Sequence, residues 1–174
     1  MSYRIEIFNN WRDFPMERWR WPNFSPEEMA CRGTGKLLIH EPSLDMLQAL
    51  RELLGVPMLV NSAYRTPQYN ATLPGAAKNS QHLVGRAYDI SMLNHDPARF
   101  IGAAEQVGFT GIGTYPGSNF VHIDTGPKRR WGKQFPPRPV TLPAEIEVFE
   151  DTVPADRFAP EPARPTLIES LAKP

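Results

Sequence analysis

The chain holds 174 residues, with 19 Lys and Arg against 19 Asp and Glu, 41% hydrophobic residues and a single cysteine. A chain of this length buries a core without disulfide staples, so one main domain is expected, as a monomer, with Cys31 free of any internal partner. The balanced charge excludes a nucleic-acid binder that works through a broad basic field, and no stretch reaches the ~20 apolar residues needed for membrane insertion.

Taken in chain order, Met1 to Phe8 lacks a continuous apolar run with a small-residue cleavage site, so it does not read as a secretory signal. Trp11 to Trp21 is crowded with aromatics, which either anchor the segment to the domain or stack on glycan; the area that aromatics bury favours anchoring. Ser25-Pro26-Glu27-Glu28 combines an N-cap serine, an N1 proline and a glutamate at N3, a capping box that opens a short helix through Ala30. Cys31 follows as a small buried residue. Ser43 is expected to open the main core helix, with Leu44, Leu47, Leu50 and Leu54 on one face and Gly55 as its stop.

Strands are expected at Pro57 to Ser62 and Arg86 to Met92. Asp96-Pro97 starts a third helix that ends at Gly108, with Phe100, Ala103, Ala104 and Val107 on one side. Two further strands, Gly111 to Tyr115 and Asn119 to Asp124, flank the turn-forming Pro116-Gly117-Ser118 and suggest a hairpin. The remainder, Pro136 to Pro174, contains nine prolines, seven acidic and four basic residues. It reads as an extended or partly disordered tail, which places the compact domain at residues 1–135. The resulting fold class is α+β, a small and mainly antiparallel sheet packed by a few helices.

Two of the four histidines, His82 and His122, sit in segments where polar residues interrupt otherwise apolar strands. Side chains alternate along a strand, so Asp89 shares a face with Ala87 and Ser91 while Tyr88, Ile90 and Met92 point the other way. By the same period Phe120, His122 and Asp124 share a side opposite Val121 and Ile123. If the two strands are neighbours, Asp89 and His122 converge, and His82, from the loop entering the first strand, completes a two-His, one-carboxylate set that fits Zn²⁺ with a fourth position left for water. The alternative for each histidine is a hydrogen-bonded structural residue. His40 and His95, beside Glu41 and Asp96, read as surface residues.

Asn61-Ser-Ala-Tyr64-Arg65-Thr-Pro67, then Asn70, Gly75-Ala76 and Ser80-x-His82-x-x-Gly85-x-Ala87-x-Asp89-Ile90, closely resembles zinc D-alanyl-D-alanine carboxypeptidases and related peptidoglycan endopeptidases of the hedgehog/DD-peptidase fold. The resemblance extends to Phe120-Val-His122-Ile-Asp124-Thr-Gly126 and Trp131 and leaves out the proline-rich tail. It implies that His82, Asp89 and His122 ligate zinc, and that the substrate is a peptidoglycan peptide. It also implies that Arg65 stands beside the scissile carbonyl, where a permanently charged fork of donors stabilises an oxyanion or holds a carboxylate. Tyr64, in the same motif, and Ser80 are candidate substrate-binding residues; Ser80 equally suits a ligand-orienting or turn-stabilising role.

The sequence departs from the family at the general base. Many members place a glutamate three residues before the last ligand, and another branch has His-x-His; here those positions hold Asn119 and Phe120, neither of which takes a proton from water. Asp124 is the nearest candidate, either as the base or as a partner that orients His122, or else as a cap of the Thr125-Gly126-Pro127 turn. The expected function is zinc-dependent hydrolysis of peptidoglycan stem peptides or cross-links. The rival is a noncatalytic, zinc-stabilised wall- or protein-binding module that lost its base. Without an export signal, a wall-lytic chain made in the cytoplasm and acting at the bacterial wall points to a phage or prophage endolysin.

Overall fold

A five-stranded sheet carries the candidate site residues. The computed structural model describes residues 5–137. Apart from Pro136 and Pro137, the expected tail lies outside the described residues. The strands are β1 (Ile5–Phe8), β2 (Leu37–His40), β3 (Val60–Ser62), β4 (Ala87–Ser91), β5 (Gly111–Tyr115), β6 (Phe120–Asp124) and β7 (Arg129–Gly132). The helices are α1 (Pro26–Met29), α2 (Glu41–Leu54), α3 (Pro67–Thr72) and α4 (Pro97–Val107). β1 and β2 form a separate antiparallel ribbon, and the main sheet runs β3-β4-β6-β5-β7. Every pair in it is antiparallel except β5 and β7, so the sheet is mixed and mostly antiparallel. The α+β architecture expected from the sequence is thus present.

Local signals explain most of these elements. The Ser25 hydroxyl accepts from the Glu28 amide at 3.3 Å, and the Glu28 carboxylate accepts from the Ser25 amide at 2.8 Å, the reciprocal box that starts α1. The hairpin β5–β6 closes through a 3-10 turn at Pro116–Ser118, with Tyr115 opposite Phe120. Asn119 takes the left-handed conformation there (φ 50°), which asparagine tolerates better than most residues. Asn119, the position at which the resemblance leads one to expect a glutamate, is the corner of a tight hairpin.

Alternation sorts the two central strands into a core side and a site side. Tyr88, Ile90, Met92, Val121 and Ile123 join Leu44, Leu47, Leu50 and Leu54 of α2 and Phe100 of α4 in one hydrophobic cluster. Each large apolar side chain so buried contributes roughly 1.5–3 kcal/mol. Trp19 and Trp21 belong to the same core: they meet edge to face at 4.9 Å, and the Trp21 indole donates to Asp45 Oδ1 at 2.8 Å. The aromatic N-terminal segment is an anchor.

Three expectations need correction. α2 opens at Glu41, two residues before Ser43, because the His40 side chain caps it by accepting from the Ser43 amide at 3.3 Å. The Ser43 hydroxyl instead donates to the Gly85 carbonyl at 2.8 Å and lies 2.9 Å from the Tyr88 hydroxyl. His40 and His95 are not surface residues; they are 8% and 5% exposed. His40 Nε2 lies 3.1 Å from Arg86 Nε, and His95 Nε2 donates to the Pro57 carbonyl at 3.1 Å. Their charged sequence neighbours concealed this burial.

Candidate metal centre

In the antiparallel register of β4 and β6, Asp89 lies directly opposite His122. His82 arrives from a 3-10 turn (Gln81–Val84) that Ser80 caps by accepting the His82 amide at 3.3 Å. The turn ends at Gly85 in the left-handed conformation (φ 67°), after which the chain enters β4. The three residues are buried, and one ligand atom from each lies within 4.8 Å of the other two. His82 Nε2 and His122 Nδ1 are 3.2 Å apart, and Asp89 Oδ1 is 3.2 Å from the first and 2.8 Å from the second. Ligand atoms arranged tetrahedrally about 2.1 Å from a zinc ion lie about 3.4 Å from one another, so this donor set fits the metal in chemistry and in spacing.

The outward nitrogen settles the tautomer of His82. His82 Nδ1 lies 2.6 Å from the Ala63 carbonyl, an acceptor only, so Nδ1 carries the proton and Nε2 presents its lone pair to the cluster. His122 is held the other way round, with Nε2 2.9 Å from Asp124 Oδ2 and Nδ1 facing Asp89. Burial lowers the His82 pKa. For His122 burial acts in the same direction, but hydrogen bonds to Asp124 and Asp89 outweigh it and raise the pKa. Burial alone would raise the Asp89 pKa; the two imidazoles reverse this and hold the carboxyl well below the usual carboxylate range.

A cleft of about 600 Å³ opens over these groups. Arg65 and Ser80 line it, as do Phe120 and Tyr115, whose rings stack at 4.5 Å, and Trp131. Arg65 Nη2 pairs with Asp89 Oδ2 and Nε donates to Ser62 Oγ at 2.8 Å, which leaves Asp89 Oδ1 for the cluster. Tyr64, a candidate substrate contact, does not reach the cleft. It is buried against Cys31 and Leu38, because the chain beyond β3 turns toward α1, where the Tyr64 amide donates to the Met29 carbonyl at 3.3 Å. Cys31 is buried as expected.

Asp124 does not line the cleft either. It is wholly buried behind His122, and besides that ring it accepts from the Gly126 amide at 2.7 Å and from Arg129 Nη1 and Nη2 at 3.0 and 2.7 Å. A carboxylate with both oxygens so engaged on the far side of an imidazole orients that ring and cannot reach a water in the cleft. Of the three roles open to Asp124, the geometry therefore disfavours the base. Among the described residues that line the cleft, Asp89 is the one carboxylate. Arg129 escaped the sequence argument altogether; the only cue was a basic run following the Thr125-Gly126-Pro127 turn.

Comparison with known proteins agrees with this arrangement. A family model described as Peptidase M15 matches residues 22–124. Over 98 residues the chain is 41% identical to the peptidoglycan L,D-endopeptidase MepK of Escherichia coli K12, covering 52% of this chain and 54% of that protein. A probable peptidoglycan L,D-endopeptidase MepK of Haemophilus influenzae is 44% identical over 57 residues, 33% of this chain and 31% of the relative. The zinc D-Ala-D-Ala carboxypeptidase of Streptomyces albus G is 36% identical over 89 residues, 49% of this chain and 34% of the relative. The matched region thus spans about half the length of the Escherichia coli relative and less of the others. With more than half of its residues under the family model, and the two-histidine, one-aspartate cluster built on two strands and a 3-10 turn of that region, the chain belongs to the peptidase M15 family.

Proposed function

We propose that this chain is a zinc-dependent peptidase acting on peptide bonds of peptidoglycan stem peptides or cross-links. The observation that carries the proposal is the convergence of His82 Nε2, Asp89 Oδ1 and His122 Nδ1 in a buried cluster at an open cleft. Zinc, when bound, supplies a Lewis acid and lowers the pKa of a coordinated water toward ~7. The chain's own residues position and polarise. The Ala63 carbonyl and Asp124 fix the two imidazoles, and Arg65 fixes Asp89 while presenting its guanidinium to the cleft for a carbonyl oxygen that gains negative charge. Ser80 shapes the turn that carries His82 and lines the same cleft. The similarity to relatives named L,D-endopeptidases makes an L,D bond the first candidate for cleavage.

One observation favours the rival, a noncatalytic zinc-stabilised wall-binding module: among the described cleft residues no carboxylate other than Asp89 is available as a base. Purified sacculi distinguish the two. Zinc-loaded protein is expected to release peptide fragments that mass spectrometry assigns to one bond, and neither chelator-treated protein nor His122→Ala should do so. Binding to sacculi without fragments from the zinc-loaded protein would overturn the peptidase in favour of the module.

A further inference from the structure

The parallel strand β7 contributes no ligand, yet two of its side chains reach the site across β5. In register, Gly111 of β5 lies between Arg129 of β7 and Asp124 of β6, and Gly113 lies between Trp131 and His122. A Cβ on Gly111 would run into the Asp124 carboxylate, and one on Gly113 would come within 2.5 Å of the Trp131 ring. The two glycines are gaps through which β7 touches the second strand over. Arg129 uses its gap to grip both oxygens of Asp124, while Nη1 also donates to the Pro127 carbonyl at 2.9 Å and the guanidinium lies 4.9 Å from the Trp131 ring.

His122 sits between two carboxylates, with Asp89 at Nδ1 and Asp124 at Nε2. The ring alone does not determine which nitrogen keeps its proton or how it is rotated. The Asp124 carboxylate does, provided that its own plane is fixed, and a two-donor fork fixes a plane where a single ammonium does not. We propose that Arg129 is a positioning residue for the metal centre: gripping Asp124 through the Gly111 gap, it holds His122 with Nε2 protonated and Nδ1 turned to the ion. Arg129 lies beyond the residues matched by the family model, and the proposal rests on the zinc-site reading above.

The test uses the full chain with Arg129→Met and Arg129→Lys, each first checked for fold by circular dichroism in metal-free form. Competition with a chromophoric chelator should show zinc affinity lowered roughly 10- to 100-fold in Arg129→Met, the usual cost of losing a group that orients a ligand, with Arg129→Lys between it and wild type. The visible spectrum of the cobalt-substituted variants should shift from that of wild type, and long-range proton–nitrogen spectra of the metal-free protein at alkaline pH should show His122 losing its single Nε2–H tautomer. A purely structural role for Arg129 would lower thermal stability and leave the cobalt spectrum and the tautomer unchanged, which would overturn the proposal. If Arg129→Met does not fold, wild-type zinc affinity and tautomer in Arg129→Lys overturn it equally. Failure of wild type to take up zinc would sink the metal reading and this proposal with it, whereas uptake by wild type and variants alike sinks this proposal alone.

Discussion

His122 is the residue on which the chemistry of the site turns. Its raised pKa means that a proton competes with the metal at Nδ1. As pH falls through that pKa the imidazolium gains population and the ligand is lost, so zinc affinity should already be falling above the usual histidine value of 6.5, by about tenfold per pH unit for the one proton displaced. Zinc titrations over a pH series measure this, and an affinity that stays flat down to the usual value would contradict it. The strand period made Asp89 and His122 legible in the sequence, because a polar residue in an otherwise apolar strand marks a face. The direction of Tyr64 was not legible, since a motif neighbour of Arg65 on an irregular segment has no period to say which way it points. Arg129 was invisible, because its role depends on a parallel pairing and on a glycine in another strand.

Among the elements, the strands that alternate were readable, as were α1, α2 and α4; α3, six residues capped by Thr66, was not, because so short a helix shows no apolar period. β2 was not, because Leu37 to His40 is buried on both faces and offers no alternation, nor was β7, whose Arg-Arg-Trp-Gly has no apolar period. β5 was found as a strand, but the purpose of its glycines appears only once β6 and β7 are placed on either side. Gly111→Ala should therefore destabilise the protein by ~1–3 kcal/mol through overpacking against Asp124, whereas Gly117→Ala, with nothing within 4 Å of the added methyl, should stay within ~0.5 kcal/mol of wild type. Urea unfolding of the two variants measures the contrast; equal midpoints would mean that β5 shifts freely and that the gap has no steric meaning.

For the molecule as a whole, the residue pattern indicated an α+β sheet with a core side and a site side, but not that His40 and His95 would be buried beside charged neighbours. Burial is the largest cause lowering both pKa values. A lowered folded-state value means that the unfolded chain binds protons first, so the stability due to these neutral imidazoles is full above the usual value of 6.5 and is lost as pH falls through the depressed folded values. His122, with its raised value, has the opposite dependence. Denaturant midpoints of the metal-free protein should fall with acid over that window, and replacing both His40 and His95 by glutamine should flatten the fall; an unchanged slope would assign the acid sensitivity elsewhere. The placement of Trp131, with its ring 5.2 Å from that of His122, has an optical consequence. An indole so close to a ligand imidazole is an intrinsic fluorophore whose emission responds to protonation of that imidazole, or to a paramagnetic ion beside it, so occupancy of the centre can be followed without a dye or a substrate.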